Sequence, residues 1–283
     1  MATEFTREEY QSRIDRVTTS LKQDGLAGML IFRQESMYWL TGYDTAGYSQ
    51  FQSLWLGADG TLMLLTRSSD VRQAKLTSII DDIRLWVDSG SANPAETLKR
   101  EVADFIPAGA VIGVEFASAC LNAQRGRMLS AAFEGDYTLH DSSHLVASLS
   151  VVKSPSELAR VRRAGEIVDL AWNAAWDVCR PGGWDADVIA EIYATVIRAG
   201  GDPAAGRFVG GAGDHALLCR YFTGRNEIRD VDQVNIEFGA AYRHYHVCLM
   251  RTGVMGPPSP LQQRMQGANV EALMACRAKL RPG

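Results

Sequence analysis

The sequence lacks three features that would place a protein in a membrane, on nucleic acid or outside the cell. No apolar stretch approaches the about 20 residues of a membrane-spanning helix, and the polar, acidic N-terminus is unlike a signal or transit peptide. Basic residues are not in excess, and the formal net charge of -4 gives no electrostatic footprint for nucleic acid. Five cysteines, an odd number without Cys-x-x-Cys spacing, favour reduced thiols. We therefore expect a cytoplasmic protein with neither nucleic acid nor a membrane as partner.

The first half of the chain alternates between predicted strands and helices. A helix over residues 6–24 opens on a capping box, in which Thr6 and Glu9 satisfy free backbone amides. Apolar runs bounded by turn residues predict strands, and Met37–Gly42 is interpreted as a short buried strand or turn entry. Strands that alternate with helices are typical of an α/β layer domain with a mixed sheet. The sequence predicts such a domain over residues 1–150.

A second domain is predicted over residues 151–283. Ser154-Pro155 opens a long amphipathic helix that ends near Cys179, and Asp185 is expected to cap the next helix. The first helix is followed by Arg-Pro-Gly, and the same Ser-Pro, helix and Arg-Pro-Gly pattern recurs over residues 259–283. This repetition indicates an internal repeat within the second domain.

The stretch 234–252 predicts a β-hairpin that gathers chemically active side chains. An apolar run ends at Glu237, a Gly-Ala-Ala turn follows, and a second strand alternates in polarity. Because side chains in a strand have period two, His244, His246 and Cys248 are expected on one face. A single histidine beside aromatic residues is more often structural, and a lone cysteine more often behaves as a small buried apolar residue. Their concentration next to Glu237 nevertheless favours a functional site.

Three segments resemble the pita-bread family of methionine aminopeptidases, Xaa-Pro peptidases and creatinase-like enzymes. They are Ile236-Glu237-Phe238-Gly239-Ala240-Ala241-Tyr242, Met250-Arg251-Thr252 and Tyr38-Trp39-Leu40-Thr41-Gly42-Tyr43. The resemblance implies an α/β (α+β) protein with a creatinase-like N-terminal domain over 1–150. It further implies a pita-bread catalytic domain over 151–283, which is expected to be incomplete. Relatives build their sites between subunits, so the resemblance also implies a homodimer.

The metal ligands of the peptidases in this family have no match in the sequence. The two metal-binding aspartates fall on Glu237 and Cys248, and the histidine of a His-Tyr pair falls on Arg220 of Arg220-Tyr221. This pattern looks like the metal-lacking branch of the family, the branch that includes ectoine hydrolase. The resemblance therefore implies hydrolysis of a C–N bond in a small, zwitterionic nitrogen compound, with no cofactor.

Roles for individual residues follow from that chemistry. Hydrolysis needs an acid or base that works near neutral pH and a positive group that holds a carboxylate. Glu237 and His246 are expected to be catalytic. The residues expected to bind substrate are Arg220, Arg251, His215, His244 and Tyr43.

Two other functions remain open at the level of sequence. Glu237, His246 and Cys248 are all able to bind metal, so a metal-dependent Xaa-Pro peptidase with altered ligands is one alternative, with Zn, Mn or Co as the ion. The other alternative is a non-catalytic binding protein that reuses the pita-bread fold, since a fold does not determine a function.

Overall fold

The computed structural model of the chain describes residues 3–90, 92–218 and 224–282. It contains two compact units, Met1–Ser154 and Pro155–Gly283. Among the described residues, no helix combines the length and the apolar character needed to cross a membrane.

The first unit is a mixed sheet with helices on both faces. Its helices are α1 (Arg7–Gln23), α2 (Gln34–Thr41), α3 (Val71–Thr77), α4 (Pro94–Val102), α5 (Ala123–Phe133) and α6 (Leu145–Leu149). Its strands are β1 (Gly28–Ile31), β2 (Ser53–Gly57), β3 (Leu62–Thr66), β4 (Asp82–Leu85), β5 (Val111–Val114) and β6 (Thr138–Asp141). The strand order is β4-β3-β2-β1-β5-β6, antiparallel at β1–β2 and β2–β3 and parallel at the other pairs. The predicted mixed sheet is confirmed.

The first unit has an apolar core on each face of its sheet, and alternate side chains of β1 contribute to both. Leu30 packs in a cluster with the apolar residues of α4 and α5, whereas Met29 and Ile31 pack in a second cluster with those of α1 and α2. Because successive side chains of a strand point to opposite faces, a strand that is buried on both sides contains an unbroken apolar run. The predicted N-cap of α1 is also confirmed, since the Thr6 hydroxyl accepts the backbone N–H of Glu9 at 3.3 Å.

The prediction of a strand or turn entry at Met37–Gly42 is wrong, because this segment belongs to helix α2. The carboxylate of buried Glu115, just after β5, accepts the backbone N–H groups of Phe32 and Arg33 at 3.1 and 2.9 Å and the Ser36 hydroxyl. Burial raises the pKa of this carboxyl group. Distant in sequence, Glu115 thus satisfies donors at the start of α2, a contact that local patterns cannot reveal.

The second unit packs two helices on one face of a small antiparallel sheet. Its elements are α7 (Pro155–Val178), α8 (Asp185–Arg198), β7 (Asp202–Pro203), β8 (Val209–Ala212), a 3₁₀ turn (Gly213–Leu217), β9 (Gln233–Tyr242), β10 (Tyr245–Val254) and α9 (Pro260–Lys279). Strand β9 pairs with β10 on one side and with both β7 and β8 on the other. Its side chains Val234, Ile236, Phe238 and Ala240 form the core with α7 and α8. The opposite face of β9 and β10 carries the predicted site.

The hairpin turn lies later in the chain than predicted. Tyr242 pairs with Tyr245, so the loop consists of Arg243 and His244 alone, with φ values of 51° and 67°. Positive φ at both loop residues is the geometry of a type I′ turn, whose twist matches that of the flanking strands. The expected Gly-Ala-Ala turn at 239–241 is instead the continuation of β9, and this lengthens the paired part of the hairpin.

Candidate active site

The polar side chains of β9 and β10 that point away from the helices form what we call the site face: Asn235, Glu237, His246, Cys248 and Thr252. The register pairs Glu237 with Met250 and Gly239 with Cys248, so Glu237 and Cys248 are diagonal neighbours. Diagonal neighbours are about 7–8 Å apart, within reach of long side chains. His246 and Cys248 are two residues apart on one strand and therefore share this face, as predicted.

The backbone fixes the protonation pattern of His246. Its Nδ1 lies 2.9 Å from the carbonyl oxygen of His244. A carbonyl oxygen can only accept, so Nδ1 must carry the proton. In the neutral ring Nε2 then has the free lone pair, and the side chain is exposed. His246 is therefore arranged as a base that acts through Nε2.

Two of the predicted site residues, His244 and Arg251, lie off this face. His244 is in the two-residue turn with a positive φ, so it does not follow the alternation of the strand. Arg251 pairs with Ile236, which lies on the helix-covered face, and its guanidinium donates to the Met250 carbonyl at 3.0 Å. The expectation that His244 shares the site face is wrong. Arg251 also lies off that face, and its expected role in binding substrate stays a prediction.

The remaining predicted substrate-binding residues divide into three cases. Tyr43 is fully buried in the first unit, and its hydroxyl donates to Gln52 at 2.7 Å, so it is closed to a substrate in this structure. Burial also raises the pKa of this hydroxyl. Arg220 lies outside the described residues. His215 is half-buried in the 3₁₀ turn and contacts the side-chain amide of Asn226 through Nδ1.

The 3₁₀ turn lies against the site face because Gly211 leaves room for it. Gly211 pairs with Asn235, so the two point to the same face, and a Cβ at Gly211 would lie 2.8 Å from the carbonyl oxygen of His215. The Asn235 amide donates to the Ala216 carbonyl at 2.5 Å, and the Thr252 hydroxyl donates to Asn235 Oδ1 at 2.6 Å. This network ties the turn that carries His215 to both strands of the hairpin.

Sequence reasoning missed two polar residues on this face. Asp202 of β7 pairs with Ala241, which in turn pairs with His246, so the exposed carboxylate and the imidazole flank a single alanine. Two strand spacings separate them by roughly 9–10 Å at the backbone. Asn235 was missed as well, although its spacing of two from Glu237 was the available signal. Asp202 follows a Gly-Gly turn and gives no such signal, because its pairing partner is distant in sequence.

The donor set does not match a metal centre. Among the described residues, no three side chains of His, Cys, Asp or Glu lie close enough together to hold an ion. Glu237, His246 and Cys248 share a face but are not gathered around one point. They also supply one carboxylate where a pair of metal ions bridged by carboxylates needs several. The four cysteines among the described residues, Cys120, Cys179, Cys248 and Cys276, form no disulfide.

Comparison with known proteins assigns the family. Residues 13–152 match the Creatinase/Prolidase N-terminal domain, and residues 159–283 match Metallopeptidase family M24. The chain is a pita-bread hydrolase of the creatinase/prolidase family. The predicted fold class and the predicted membership of this enzyme family are thereby confirmed.

The relatives of this pita-bread hydrolase include enzymes with different activities. Ectoine hydrolase of Halomonas elongata is 26% identical over 298 residues, which cover 99% of this chain and 74% of that protein. Xaa-Pro aminopeptidase of Escherichia coli is 31% identical over 147 residues, 52% of this chain and 33% of that protein. A prolidase of Thermococcus sibiricus superposes with a TM-score of 0.85 at 21% identity, covering 97% of this chain and 73% of that one, and shows the fold alone.

Proposed function

We propose that the protein hydrolyses a C–N bond in a small, zwitterionic nitrogen compound of the ectoine or creatine type, and that it does so without a metal ion. The observation that carries the proposal is that Glu237 and His246 are exposed on the same face of the hairpin, with Glu237 opposite Met250 and His246 opposite Ala241. Similarity to ectoine hydrolase over nearly the whole chain supports the same choice of substrate class.

His246 carries both proton transfers of the proposed reaction, and Glu237 orients the reacting water. As the oxygen of water bonds to the electrophilic carbon, His246 Nε2 accepts one proton from that water. The C–N bond then breaks, and the departing nitrogen takes the same proton, which returns the imidazole to its neutral form. Glu237 takes no proton in this step and orients the water, in an environment bounded on the two neighbouring strands by apolar Met250 and Val209.

Metal independence is supported by the chemistry of the side chains at the ligand positions. Cys248 stands where the peptidases of the family carry a metal-binding aspartate, and Glu237 stands at the other such position. Hard divalent ions such as Mn²⁺ favour oxygen donors over a thiol. Arg220 replaces the family histidine, and a guanidinium repels a cation while it attracts a carboxylate.

Activity measurements on a defined panel test the proposal. The panel contains ectoine, creatine and an Xaa-Pro dipeptide, each assayed with the purified protein before and after treatment with a chelator, and with metal content measured in parallel. We expect turnover of a zwitterionic compound that chelator does not affect. Glu237→Gln should remove turnover while substrate binding persists, and Glu271→Gln, an exposed glutamate of α9, is the matched control.

A second candidate, a metal-dependent Xaa-Pro peptidase, is favoured by the 31% identity to the Escherichia coli enzyme. Its signature in the same experiment is cleavage of the dipeptide together with stoichiometric zinc, manganese or cobalt. Loss of activity with chelator and its return with metal would refute the metal-free assignment. The hairpin would then belong to a metal site built around Glu237, His246 and Cys248.

A further inference from the structure

A buried carboxylate outside the proposed catalytic pair is linked to His215. Asp185 is the first residue of α8 and is 3% exposed. It is not the N-cap of that helix, as the sequence suggested, because Trp184 occupies the capping position. Its Oδ1 accepts the backbone N–H of Asn226 at 3.0 Å, and its Oδ2 accepts the side-chain amide of the same residue at 3.4 Å. Both carboxylate oxygens are therefore directed at one residue.

Asp185 determines which way the Asn226 amide faces. A carboxylate oxygen offers only lone pairs, so the amide group beside it must be NH₂ and not the carbonyl. The same Nδ2 contacts His215 Nδ1. An NH₂ group has two hydrogens, which is enough for one carboxylate oxygen and one ring nitrogen. The orientation follows from hydrogen-bonding chemistry and does not rest on telling nitrogen from oxygen by position.

The orientation of Asn226 in turn sets the tautomer of His215. Since Asn226 donates to Nδ1, that nitrogen must be the acceptor, and the ring proton resides on Nε2. This is the reverse of His246, whose Nδ1 donates to a backbone carbonyl. The two histidines of this region are thus held in opposite states, one with a bare Nε2 and one with an Nε2–H.

The location of His215 suggests a role for its Nε2–H group. Its turn lies over Gly211 on the site face and is tied to Asn235 through the Ala216 carbonyl. The ring itself is half-buried. A neutral imidazole with a fixed N–H is a hydrogen-bond donor suited to an oxygen on which negative charge develops.

We propose that His215 donates a hydrogen bond from Nε2 to an oxygen of the substrate, and that Asn226 and Asp185 are positioning residues that hold its tautomer. No proton is transferred in this contact. The role of His215 toward substrate rests on the proposed function, whereas the tautomer does not depend on any activity.

Long-range ¹H–¹⁵N correlation spectra of the full chain labelled with ¹⁵N-histidine read the tautomers directly. Variants His215→Gln and His246→Gln assign the two rings. We expect Nε2–H for His215 and Nδ1–H for His246. In Asn226→Asp the new carboxylate can only accept, so the His215 proton should move to Nδ1, while the exposed change Asn173→Asp on α7 should leave the spectrum unaltered. A protonated Nδ1 in wild-type His215, or no change in Asn226→Asp, overturns the proposal.

Kinetics with the compound turned over in the panel test the donor role. Asn226→Asp should lower kcat/KM about 10–100-fold, the range known for residues that orient the ligands of metal ions through a hydrogen bond. His215→Phe should lower kcat by about 10²–10³-fold. His215→Gln keeps an N–H near the position of Nε2 and should retain much more activity than the phenylalanine variant.

The outcomes distinguish the tautomer of His215 from its role as a hydrogen-bond donor to the substrate. Equal activity of His215→Gln and His215→Phe would refute the donor role even if the tautomer is as expected. If no compound of the panel is hydrolysed, the proposed function fails, and with it the donor role; the spectra still decide whether Asp185 and Asn226 hold the His215 tautomer. A melting curve of each variant that matches wild type shows that a loss of activity is not a loss of folding.

Discussion

Replacement of Gly211 by alanine should detach the 3₁₀ turn from the site face. The added Cβ would lie 2.8 Å from the carbonyl oxygen of His215, 2.9 Å from its carbonyl carbon and 3.2 Å from the backbone nitrogen of Ala216. All three are backbone atoms, so no flexible side chain can swing aside. To restore an ordinary carbon contact of about 3.5 Å, the turn must move by at least roughly half an ångström. That movement would lengthen the hydrogen bond that the Asn235 side chain donates to the Ala216 carbonyl.

The expected loss of stability has two parts. Overpacking of a buried position costs about 1–3 kcal/mol. Weakening of the bond from Asn235 adds roughly 0.5–1.5 kcal/mol. The free energy of unfolding should therefore fall by about 1.5–4.5 kcal/mol. Hydrolase activity should fall even under conditions where the variant remains folded, because the displaced segment carries His215.

Gly206→Ala is the matched control for this experiment. Gly206 precedes β8, is exposed, has no atom within 4 Å of its added Cβ and shows no positive φ. It therefore gives the same gain from a less flexible unfolded chain without the clash. Urea unfolding followed by circular dichroism and the hydrolase assay are run on both variants. A difference in unfolding free energy below about 0.5 kcal/mol between them would refute the reasoning, since that is the range of neutral surface changes.

Three further outcomes are expected. Tyr245→Phe removes a hydroxyl that donates at 3.0 Å to Glu157, which is 2% exposed, and should cost about 1–3 kcal/mol in urea unfolding. Burial acts to raise the pKa of Asp232, but hydrogen bonds from Arg229 hold it below its usual range. The stabilisation by Asp232 is thus present above the ordinary aspartate pKa of about 3.9 and is lost as the pH falls, so Asp232→Asn should destabilise at neutral pH and much less in acid. Sedimentation should show a homodimer, and an active monomer would contradict this.

Much of the architecture was predictable from local patterns. The N-cap of α1 and the apolar spacing of α1 and α7 lie within a few residues of one another, so the sequence contains the whole signal. Helix α2 was missed because a carboxylate 79 residues away stabilises its start. Local propensity is a weak guide wherever a distant side chain supplies the missing partner.

The site was predictable only along the strand. Period two correctly placed His246 and Cys248 together, and the same rule assigns Arg251 to the opposite face. Asp202 and the contact between Asn226 and His215 depend on which strands and loops become neighbours in space, and no spacing in the sequence encodes that. His244 was misplaced because a type I′ turn takes it out of the alternation.

The position of Arg251 changes the electrostatics of the site. With its guanidinium on the helix-covered side, the described part of the site face carries acids and neutral donors but gains no cation from β10. An anionic substrate group must then be held by neutral N–H groups, by Arg220, which lies outside the described residues, or by both. Fixed neutral donors are effective only where their hydrogens are directed in advance, since they lack the long-range attraction of a charge. A buried carboxylate that orients Asn226, and through it the ring of His215, provides that direction, which is why Asp185 belongs to the function of the face although it lies beneath it.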